Sequence, residues 1–225
     1  MKQAEKDAIP NRAGDLQRLI LQAQQHGVRD QAVLTAIGQV PRNLFVPKDL
    51  AKASFEDTPL PIGEGQTISQ PAMVALMAEA SCLSSDDNVL EIGAGSGYGA
   101  AILRTLAARV TTVERIETLA SQARTTLKQC GFDDVDVAVG DGTLGWPENA
   151  PYDAIIVTAA GPSAPLPLIR QLKTDGHLVM PVGRKHYQQY LMRFTRQSSN
   201  DKTPRVHAEK LMAVRFVPLI GEHGF

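Results

Sequence analysis

The sequence has few cysteines and no long apolar run. Its 225 residues include two cysteines, Cys82 and Cys130, whose spacing fits neither a metal site nor a disulfide framework. We therefore expect both to be reduced, in a cytoplasmic protein that holds no metal. No stretch approaches the apolar length that spans a bilayer, and the N-terminal segment lacks the apolar run of a secretory signal. We expect no membrane partner.

Neither sign of charge is in clear excess. The formal net charge is −1 at pH 7, and Lys and Arg are scattered along the chain. Nucleic-acid binding depends mainly on clustered basic residues that contact phosphates, so we expect no nucleic-acid partner. A chain of 225 residues fits one large domain with at most a modest extension. We expect a single domain, residues 1–225, that is a monomer.

The central part of the chain has the pattern of an α/β fold. From Asn88 onwards, short apolar strands alternate with helical stretches, which is typical of a parallel sheet covered by helices on both faces. We predict a three-layer, doubly wound, mostly parallel sheet of seven strands. The predicted central strands are 89–92, 110–113, 135–139, 154–158 and 178–182, and the helices between them are 98–107, 117–129 and 165–172.

The two ends of the chain differ from this pattern. Residues 12–39 predict two short helices, broken around His26–Gly27. Proline and glycine make 40–47 an expected extended segment and 57–65 an expected loop. After Gly183, segments 190–195 and 209–218 predict an antiparallel hairpin, joined by the polar loop 197–204. We divide the domain into an N-terminal extension with a polar loop (1–70), a ligand-binding α/β core (71–183) and a C-terminal hairpin that completes the sheet (184–225).

A glycine turn follows the first central strand. The strand ends in Glu91 and Ile92, and Gly93, Ala94, Gly95, Ser96 and Gly97 follow. Glycines let the backbone approach a ligand closely, and the next helix presents unpaired N–H groups. In an open parallel sheet, ligands bind beyond the carboxyl ends of the strands. The turn therefore predicts a site for a nucleotide-like cofactor.

Polar residues follow the next three strands. Glu114 lies about 20 residues after the first glycine, where an acidic side chain can accept both ribose hydroxyls. Asp141, after the third strand, is a candidate acceptor for an adenine amino group. The alternative for Glu114 is a solvated helix-start carboxylate, and for Asp141 a turn residue. The cofactor role is favoured for each residue alone and more strongly for the two together. Thr158, at the end of the fourth strand, fits a cofactor contact or a strand-end turn.

Two cofactors compete for the glycine turn. A dinucleotide turn follows G-x-G-x-x-G/A. Counted from Gly93, the sixth residue is Tyr98, which does not fit. Counted from Gly95, it is Ala100, which fits formally but starts deep in the turn. The segment Glu91–Gly97 instead matches E-x-G-x-G-x-G, which S-adenosylmethionine sites tolerate. With acidic residues at successive strand ends, the pattern favours S-adenosylmethionine.

The motifs as a set resemble those of the protein-L-isoaspartate O-methyltransferase family. The glycine turn is generic to S-adenosylmethionine enzymes, whereas GQTISQP, GWPENAPYDAIIVTAA and VRFVPL are far more particular and stand in the right order. The likeness runs from Val33 to the C-terminal strand. The motifs are GQTISQP (65–71), VLEIGAGSGYGAAIL (89–103), TTVERIETL (111–119), GDGTLGWPENAPYDAIIVTAA (140–160), QLKTDGHLVMPVG (171–183) and VRFVPL (214–219).

The resemblance implies an S-adenosylmethionine-dependent methyltransferase fold and a repair activity. The methyl group of S-adenosyl-L-methionine goes to the free carboxylate of L-isoaspartyl residues in damaged proteins and peptides, and S-adenosyl-L-homocysteine is the product. The ester collapses to a succinimide, which hydrolyses partly to normal aspartate. By motif position, Ser69 is the active-site serine, and Ile68, Gln70 and Val217 hold the substrate. The implied cofactor residues are Glu91, Gly93, Ala94, Gly95, Gly97, Glu114, Arg115, Asp141, Gly142 and Thr158.

The residue types near the loop agree with this chemistry. A carboxylate is ionised at neutral pH and needs no general base, so the lack of a catalytic His, Cys or carboxylate pair is expected. Ser69 alone is also a candidate cap for the helix that Pro71 opens. The two roles are compatible, because a helix N-terminus attracts anions. We expect Ser69 and adjacent N–H groups to bind the substrate carboxylate there.

Two residues depart from the family pattern, and two alternative functions remain. Ala72 stands where the family often has an aromatic residue, and the smaller side chain would loosen the cofactor lid. Gly99 replaces a commonly larger polar residue. One alternative is a methyltransferase acting on RNA or a small metabolite; the sequence TAAGPSAP at 158–165, in place of an amino-methylation motif, argues against it. The other is a silent S-adenosylmethionine-binding protein, against which the intact Ser69 loop argues.

Overall fold

The fold was analysed in a computed structural model, which describes residues 12–184, 187–198 and 204–225. The helices are α1 (Arg12–Gln25), α2 (Gln31–Gln39), α3 (Pro71–Ala80), α4 (Tyr98–Leu106), α5 (Glu117–Gln129) and α6 (Leu166–Gln171). The strands are β1 (Leu60–Gly63), β2 (Gln66–Ile68), β3 (Asn88–Ile92), β4 (Arg109–Glu114), β5 (Asp136–Val139), β6 (Tyr152–Val157), β7 (Leu172–Gly183), β8 (Gln189–Gln197) and β9 (Arg205–Val214).

Seven of the strands form one sheet in the order β5-β4-β3-β6-β7-β8-β9. The pairs from β5 to β7 are parallel, and β8 and β9 add an antiparallel hairpin at one edge. The predicted fold class is confirmed. The chain passes from β3 to β4 and β5 on one side of the sheet and then crosses to β6 on the other side of β3. The carboxyl ends of β3, β4 and β6 therefore border the crevice where ligands bind in such sheets.

The central strands are buried on both faces, which explains their continuous apolar sequences. Along β6, Ala154 and Ile156 belong to one hydrophobic cluster, and Ile155 and Val157 belong to the other. Successive side chains of a strand point to opposite faces, so this alternation separates the two clusters. The first cluster includes residues of α1 to α5, and the second includes residues of α6. The sheet is therefore the middle of three layers.

Two N-terminal predictions were wrong. Residues 42–44, within the predicted extended segment 40–47, form a short 3-10 helix, because a proline such as Pro41 suits the start of a helical turn. A second 3-10 helix, 48–50, follows that segment. The predicted loop 57–65 contains β1, which pairs antiparallel with β2. Buried and exposed residues alternate along β1, but its sequence LPIG contains a proline and a glycine and therefore does not show a strand pattern.

The C-terminal hairpin is confirmed, but β9 begins and ends four residues earlier than predicted. Residues 205–210 are exposed, so no hydrophobic pattern marks the start of the strand. The chain leaves β9 after Val214 and crosses the carboxyl ends of the parallel strands. Residues 199–203 of the predicted polar loop lie outside the described residues. Within the described ranges, no helix is long and apolar enough to cross a bilayer.

Candidate active site

Two adjoining cavities lie at the carboxyl ends of the parallel strands. The first, the inner cavity, has a volume of about 230 Å³ and is lined by the glycine turn, the β1–β2 hairpin and residues 217–220. The second, the outer groove, has a volume of about 1150 Å³ and is bordered by α3 and residues 212–218. The groove is large enough for several residues of a polypeptide. Five residues line both spaces: Thr67, Ser69, Thr158, Val217 and Pro218.

The inner cavity brings together most of the residues singled out in the sequence. Gln70 lines only the outer groove. Two predicted cofactor residues, Gly97 and Asp141, line neither space. Gly97 is instead the N-cap residue of α4, with a positive φ of 89°, and a Cβ there would press on Leu127 of α5. The predicted residues that line the inner cavity are Ile68, Ser69, Glu91, Gly93, Ala94, Gly95, Glu114, Arg115, Gly142, Thr158 and Val217.

The glycine turn is fixed to the end of β6 by Thr158. The Thr158 hydroxyl lies 3.0 Å from the Ile92 carbonyl and 2.9 Å from the Gly93 carbonyl, to which it can donate. A Cβ on Gly93 would stand 2.3 Å from the Thr158 Oγ1 atom, and Gly93 has a positive φ of 98°. Only glycine suits this position. Thr158 therefore both stabilises the turn and lines the two cavities.

Glu114 presents a carboxylate that the turn holds in place. Its Oε2 atom accepts a hydrogen bond from Gly95 N at 2.9 Å, and its Oε1 atom accepts one from Ile116 N at 3.0 Å. An ionised carboxylate has about four acceptor positions, so lone pairs remain for a ligand. An anchored acceptor beside a turn with three glycines and two small side chains fits the hydroxyl groups and the bulk of a nucleoside. The residues present thus fit the implied cofactor.

Glu91 is a buried carboxyl group under the same turn. It is 1% exposed, and its Oε2 atom accepts a hydrogen bond from the Thr112 hydroxyl at 2.6 Å. Burial raises the pKa of Glu91, the Thr112 hydrogen bond opposes this increase and the nearby Glu114 adds to it, so that the pKa is about 8. A Cβ on Gly99 would stand 2.2 Å from the Glu91 Oε1 atom. The small residue at 99 thus makes room for this carboxyl group.

Asp141 holds the C-terminal segment. Its Oδ1 atom accepts hydrogen bonds from Thr143 N and the Thr143 hydroxyl, and its Oδ2 atom accepts one from Glu222 N at 2.8 Å. Burial raises the pKa of Asp141, but the hydrogen bonds from Glu222 and Thr143, with the nearby His223, bring it below its ordinary value. The adenine contact stays a prediction. The contacts seen here join the loop after β5 to residues 222–223.

The start of α3 corrects the interpretation of Ser69 as a helix cap. Gln70 is the N-cap residue and makes no capping hydrogen bond with its side chain. Ala72 N donates instead to the Asp57 Oδ1 atom at 2.9 Å. The Ser69 hydroxyl has no hydrogen-bond partner among the described residues and lines both cavities. A substrate carboxylate cannot use the Ala72 N–H group, because Asp57 already accepts from it.

Ala72 lies away from both cavities, and its expected effect on the cofactor lid stays a prediction. It is fully buried and lines neither the inner cavity nor the outer groove. The lid is the β1–β2 hairpin, whose residues 65–68 line the inner cavity. Its tip is joined to α5 by a hydrogen bond of 3.0 Å from the Thr118 hydroxyl to the Glu64 Oε1 atom.

Three functional candidates were missed in the sequence. Arg42 and Asp57 contact the Ser69–Ala72 segment, and Gln189 contacts the chain beside Val217. The Gln189 side chain accepts from Phe216 N at 2.7 Å and donates to the Phe216 carbonyl at 3.2 Å. One signal was present: Arg42 is the only charged residue of the mainly apolar, proline-containing segment 40–47.

Comparison with known proteins gives one consistent match. The model of the Protein-L-isoaspartate(D-aspartate) O-methyltransferase family (PCMT) matches residues 15–224. The chain is similar to Protein-L-isoaspartate O-methyltransferase 2 of Pelobacter propionicus, with 54% identity over 88% of this chain and 87% of that protein. It is also similar to the Protein-L-isoaspartate O-methyltransferase of Methanoculleus marisnigri, with 48% identity over 97% of each chain.

Solved structures agree on the fold. A protein-L-isoaspartate O-methyltransferase structure superposes with a TM-score of 0.82 and 28% identity, covering 93% of this chain and 67% of that one. A Plasmodium falciparum protein, described as a β-aspartate methyltransferase in complex with S-adenosyl-L-homocysteine, superposes with a TM-score of 0.75 and 23% identity. That match covers 90% of this chain and 96% of the other.

Proposed function

The chain belongs to the protein-L-isoaspartate(D-aspartate) O-methyltransferase family, and we propose that its two cavities hold the methyl donor and the damaged polypeptide respectively. The enzyme transfers a methyl group from S-adenosyl-L-methionine to the free carboxylate of L-isoaspartyl residues. One observation carries the assignment of the cavities: they share Ser69, Thr158 and Val217 at a common border. A reacting group in each space can therefore meet the other.

We assign the inner cavity to the cofactor. Glu114 accepts hydrogen bonds from ribose hydroxyls with the lone pairs that the turn leaves free, and the turn Gly93–Gly97 takes the bulk of the ligand. Arg115 and Gly142 border it, and Asp141 holds the adjoining C-terminal segment. When bound, S-adenosylmethionine would supply a methyl group on a positively charged sulfur, so that the methyl carbon can bond to a carboxylate oxygen as its bond to sulfur breaks and S-adenosyl-L-homocysteine leaves.

We assign the border residues to the substrate carboxylate. The free hydroxyl of Ser69 donates to it, with Ile68, Gln70 and Val217 around the isoaspartyl backbone. No proton has to move, because the nucleophile is already ionised. The protein's contribution is alignment, which can lower a barrier by about 7–11 kcal/mol at best. The β1–β2 hairpin covers the inner cavity and excludes water from the reacting atoms.

The product explains the biological role. The methyl ester collapses to a succinimide, which hydrolyses partly to normal aspartate, so the enzyme initiates repair of damaged proteins and peptides. We propose that it acts as a monomer in the cytoplasm and has no nucleic-acid partner. The formal net charge of −1 supports the last point, because phosphate binding needs clustered basic residues.

A matched pair of peptides tests the function. The full chain is incubated with methyl-labelled S-adenosylmethionine and with peptides that differ only in carrying isoaspartate or normal aspartate. We expect base-labile label on the isoaspartyl peptide alone. Equal labelling of both peptides, or of neither, would contradict the proposal. Transfer to RNA or to small metabolites, in place of the peptide, would indicate another substrate class.

A further inference from the structure

Arg42 carries a fully buried guanidinium group, with none of its surface exposed. It has no ion-pair partner among the described residues. Its Nη1 atom donates to the Ser54 carbonyl at 2.8 Å, and its Nη2 atom donates to the carbonyls of Thr58 at 2.9 Å and Ser69 at 3.0 Å. Burying a charge is expensive unless hydrogen bonds satisfy it. Backbone carbonyls provide those bonds to the two Nη atoms, whereas the buried Nε atom has no hydrogen-bond partner among the described residues.

The guanidinium joins the serine loop to the wall of the inner cavity. Its Cζ atom lies 5.9 Å from the centroid of the Tyr98 ring. Tyr98 is the first residue of α4, directly after the glycine turn, and lines the inner cavity. Ser69 lines the same cavity where it meets the outer groove. A displacement of Arg42 would therefore shift Ser69 relative to Tyr98 in the wall of the inner cavity.

The contact with the Ser69 carbonyl also directs the next N–H group. In a trans peptide bond, the C=O and N–H groups point in opposite directions, and within the described residues the only cis bond is Ala150–Pro151. The Ser69 carbonyl faces the buried guanidinium, so the Gln70 N–H faces away from it. Gln70 N has no hydrogen-bond partner among the described residues, and Gln70 lines the outer groove.

We propose that Arg42 is a positioning residue for methyl transfer. By holding the Ser69 carbonyl, it sets the Ser69 hydroxyl and the Gln70 N–H side by side as donors to the substrate carboxylate. This rests on the proposed function, in which Ser69 binds that carboxylate. Lysine cannot replace arginine here, because an ammonium group presents its donors from one point whereas the guanidinium spreads them across a plane.

A double-mutant cycle between residues 42 and 69 tests the proposal. The wild-type enzyme, Arg42→Lys, Ser69→Ala and the double variant are assayed for kcat and KM with an isoaspartyl peptide, and for cofactor Kd. We expect Arg42→Lys to lower kcat by about tenfold to a hundredfold, the effect of a small misplacement, with cofactor Kd unchanged. The loss in the double variant should be smaller than the product of the single losses.

Two further variants separate positioning from general stability. Arg42→Gln keeps a planar donor group without the charge, and it replaces Arg42→Lys in these assays if the lysine variant does not fold. Leu168→Ala, in the hydrophobic cluster on the opposite face of the sheet, is the control for lost thermal stability. A kcat loss in the Arg42 variants that Leu168→Ala lacks at equal Tm supports the proposal.

Three results would overturn it: single losses that multiply, activity that follows Tm in every variant, or full activity of Arg42→Lys. Full activity of Arg42→Lys with an impaired Ser69→Ala rejects only the role of Arg42. Full activity of Ser69→Ala rejects the proposed role of Ser69 as well.

Discussion

Gly99 and Glu91 are in such close contact that a Cβ at position 99 would stand 2.2 Å from the Glu91 Oε1 atom. The carboxyl group cannot simply turn away, because Glu91 is buried and its other oxygen accepts the Thr112 hydrogen bond. The missing side chain at Gly99 thus makes room for Glu91, eight positions earlier in the chain. The pair can be tested by substitution.

We expect Gly99→Ala to destabilise the protein by about 1–3 kcal/mol, the usual effect of overpacking, although alanine favours a helix more than glycine does. Urea unfolding measures the change. Glu91→Asp shortens the acidic side chain and should restore part of the loss in the double variant. An equal loss with Glu or Asp at position 91 would contradict the proposed contact.

Glu91 should make stability fall as the pH rises. Its folded pKa is about 8 and its ordinary value is 4.5, so between these values the folded state binds more protons than the unfolded state. The stabilisation is complete below pH 4.5 and is lost as the pH rises through 8. Glu91→Gln removes this dependence. Between pH 5 and about 9, we expect the Tm of the wild type to fall relative to that of Glu91→Gln, by about 2–4 °C for each kcal/mol of lost stability.

The control for this titration is Gln122→Ala, which changes an exposed residue of α5 that carries no titratable group. The difference between its Tm and that of the wild type should be the same at every pH. A Glu91→Gln curve parallel to the wild-type curve would show that Glu91 does not retain its proton in the folded state.

Ser69→Ala should lower transfer without weakening cofactor binding. A hydrogen bond to a charged group contributes about 1.5–3 kcal/mol, which corresponds to a loss of roughly tenfold to a hundredfold in kcat/KM. Steady-state kinetics with an isoaspartyl peptide and calorimetry with S-adenosyl-L-homocysteine measure the two effects. A comparable loss of cofactor affinity would place the hydroxyl in the cofactor site instead.

The hydrogen bond between Thr118 and Glu64 should slow cofactor release. It joins the tip of the β1–β2 hairpin to α5, and a neutral donor to an exposed carboxylate contributes about 1 kcal/mol. We expect Thr118→Val to raise the release rate of S-adenosyl-L-homocysteine by up to about fivefold in stopped-flow experiments. Thr125→Val, on the same helix but bonded to the Ser121 carbonyl, is the matched control. Equal release rates in both variants would show that the hydrogen bond between Thr118 and Glu64 does not slow cofactor release.

Asp141 should act on the inner cavity through the C-terminal segment. Asp141→Asn leaves one acceptor oxygen for the donors of Thr143 and Glu222 and so weakens the bond to Glu222 N, which a chain ending at Gly221 removes together with the bond from His223 N to the Thr143 hydroxyl. Each should raise the cofactor KM, and combining them should add little, since both act on the same attachment of the C-terminal segment. Independent effects would instead favour a direct contact between Asp141 and the cofactor.

The parts of this protein that could be predicted are those in which one local pattern suffices. Helix α5 was predicted with its observed bounds, Glu117–Gln129, because its apolar spacing is regular. The glycine turn is contiguous, so its residues could be placed directly. By contrast, Arg42 meets Ser69 across 27 positions and Asp57 meets Ala72 across 15. Such contacts have no period in the sequence, and only the packed chain brings their partners together.

The five-residue border between the inner cavity and the outer groove also indicates how this enzyme could be inhibited. A compound that joins an adenosine group to a carboxylate-bearing amino acid would occupy both spaces at once. Linking two ligands makes the second binding step intramolecular, and the effective concentration can reach the millimolar range with a short linker. Such a bisubstrate compound would depend on the distance across Ser69 and Thr158, so a series of linker lengths would measure the separation of the two reacting groups.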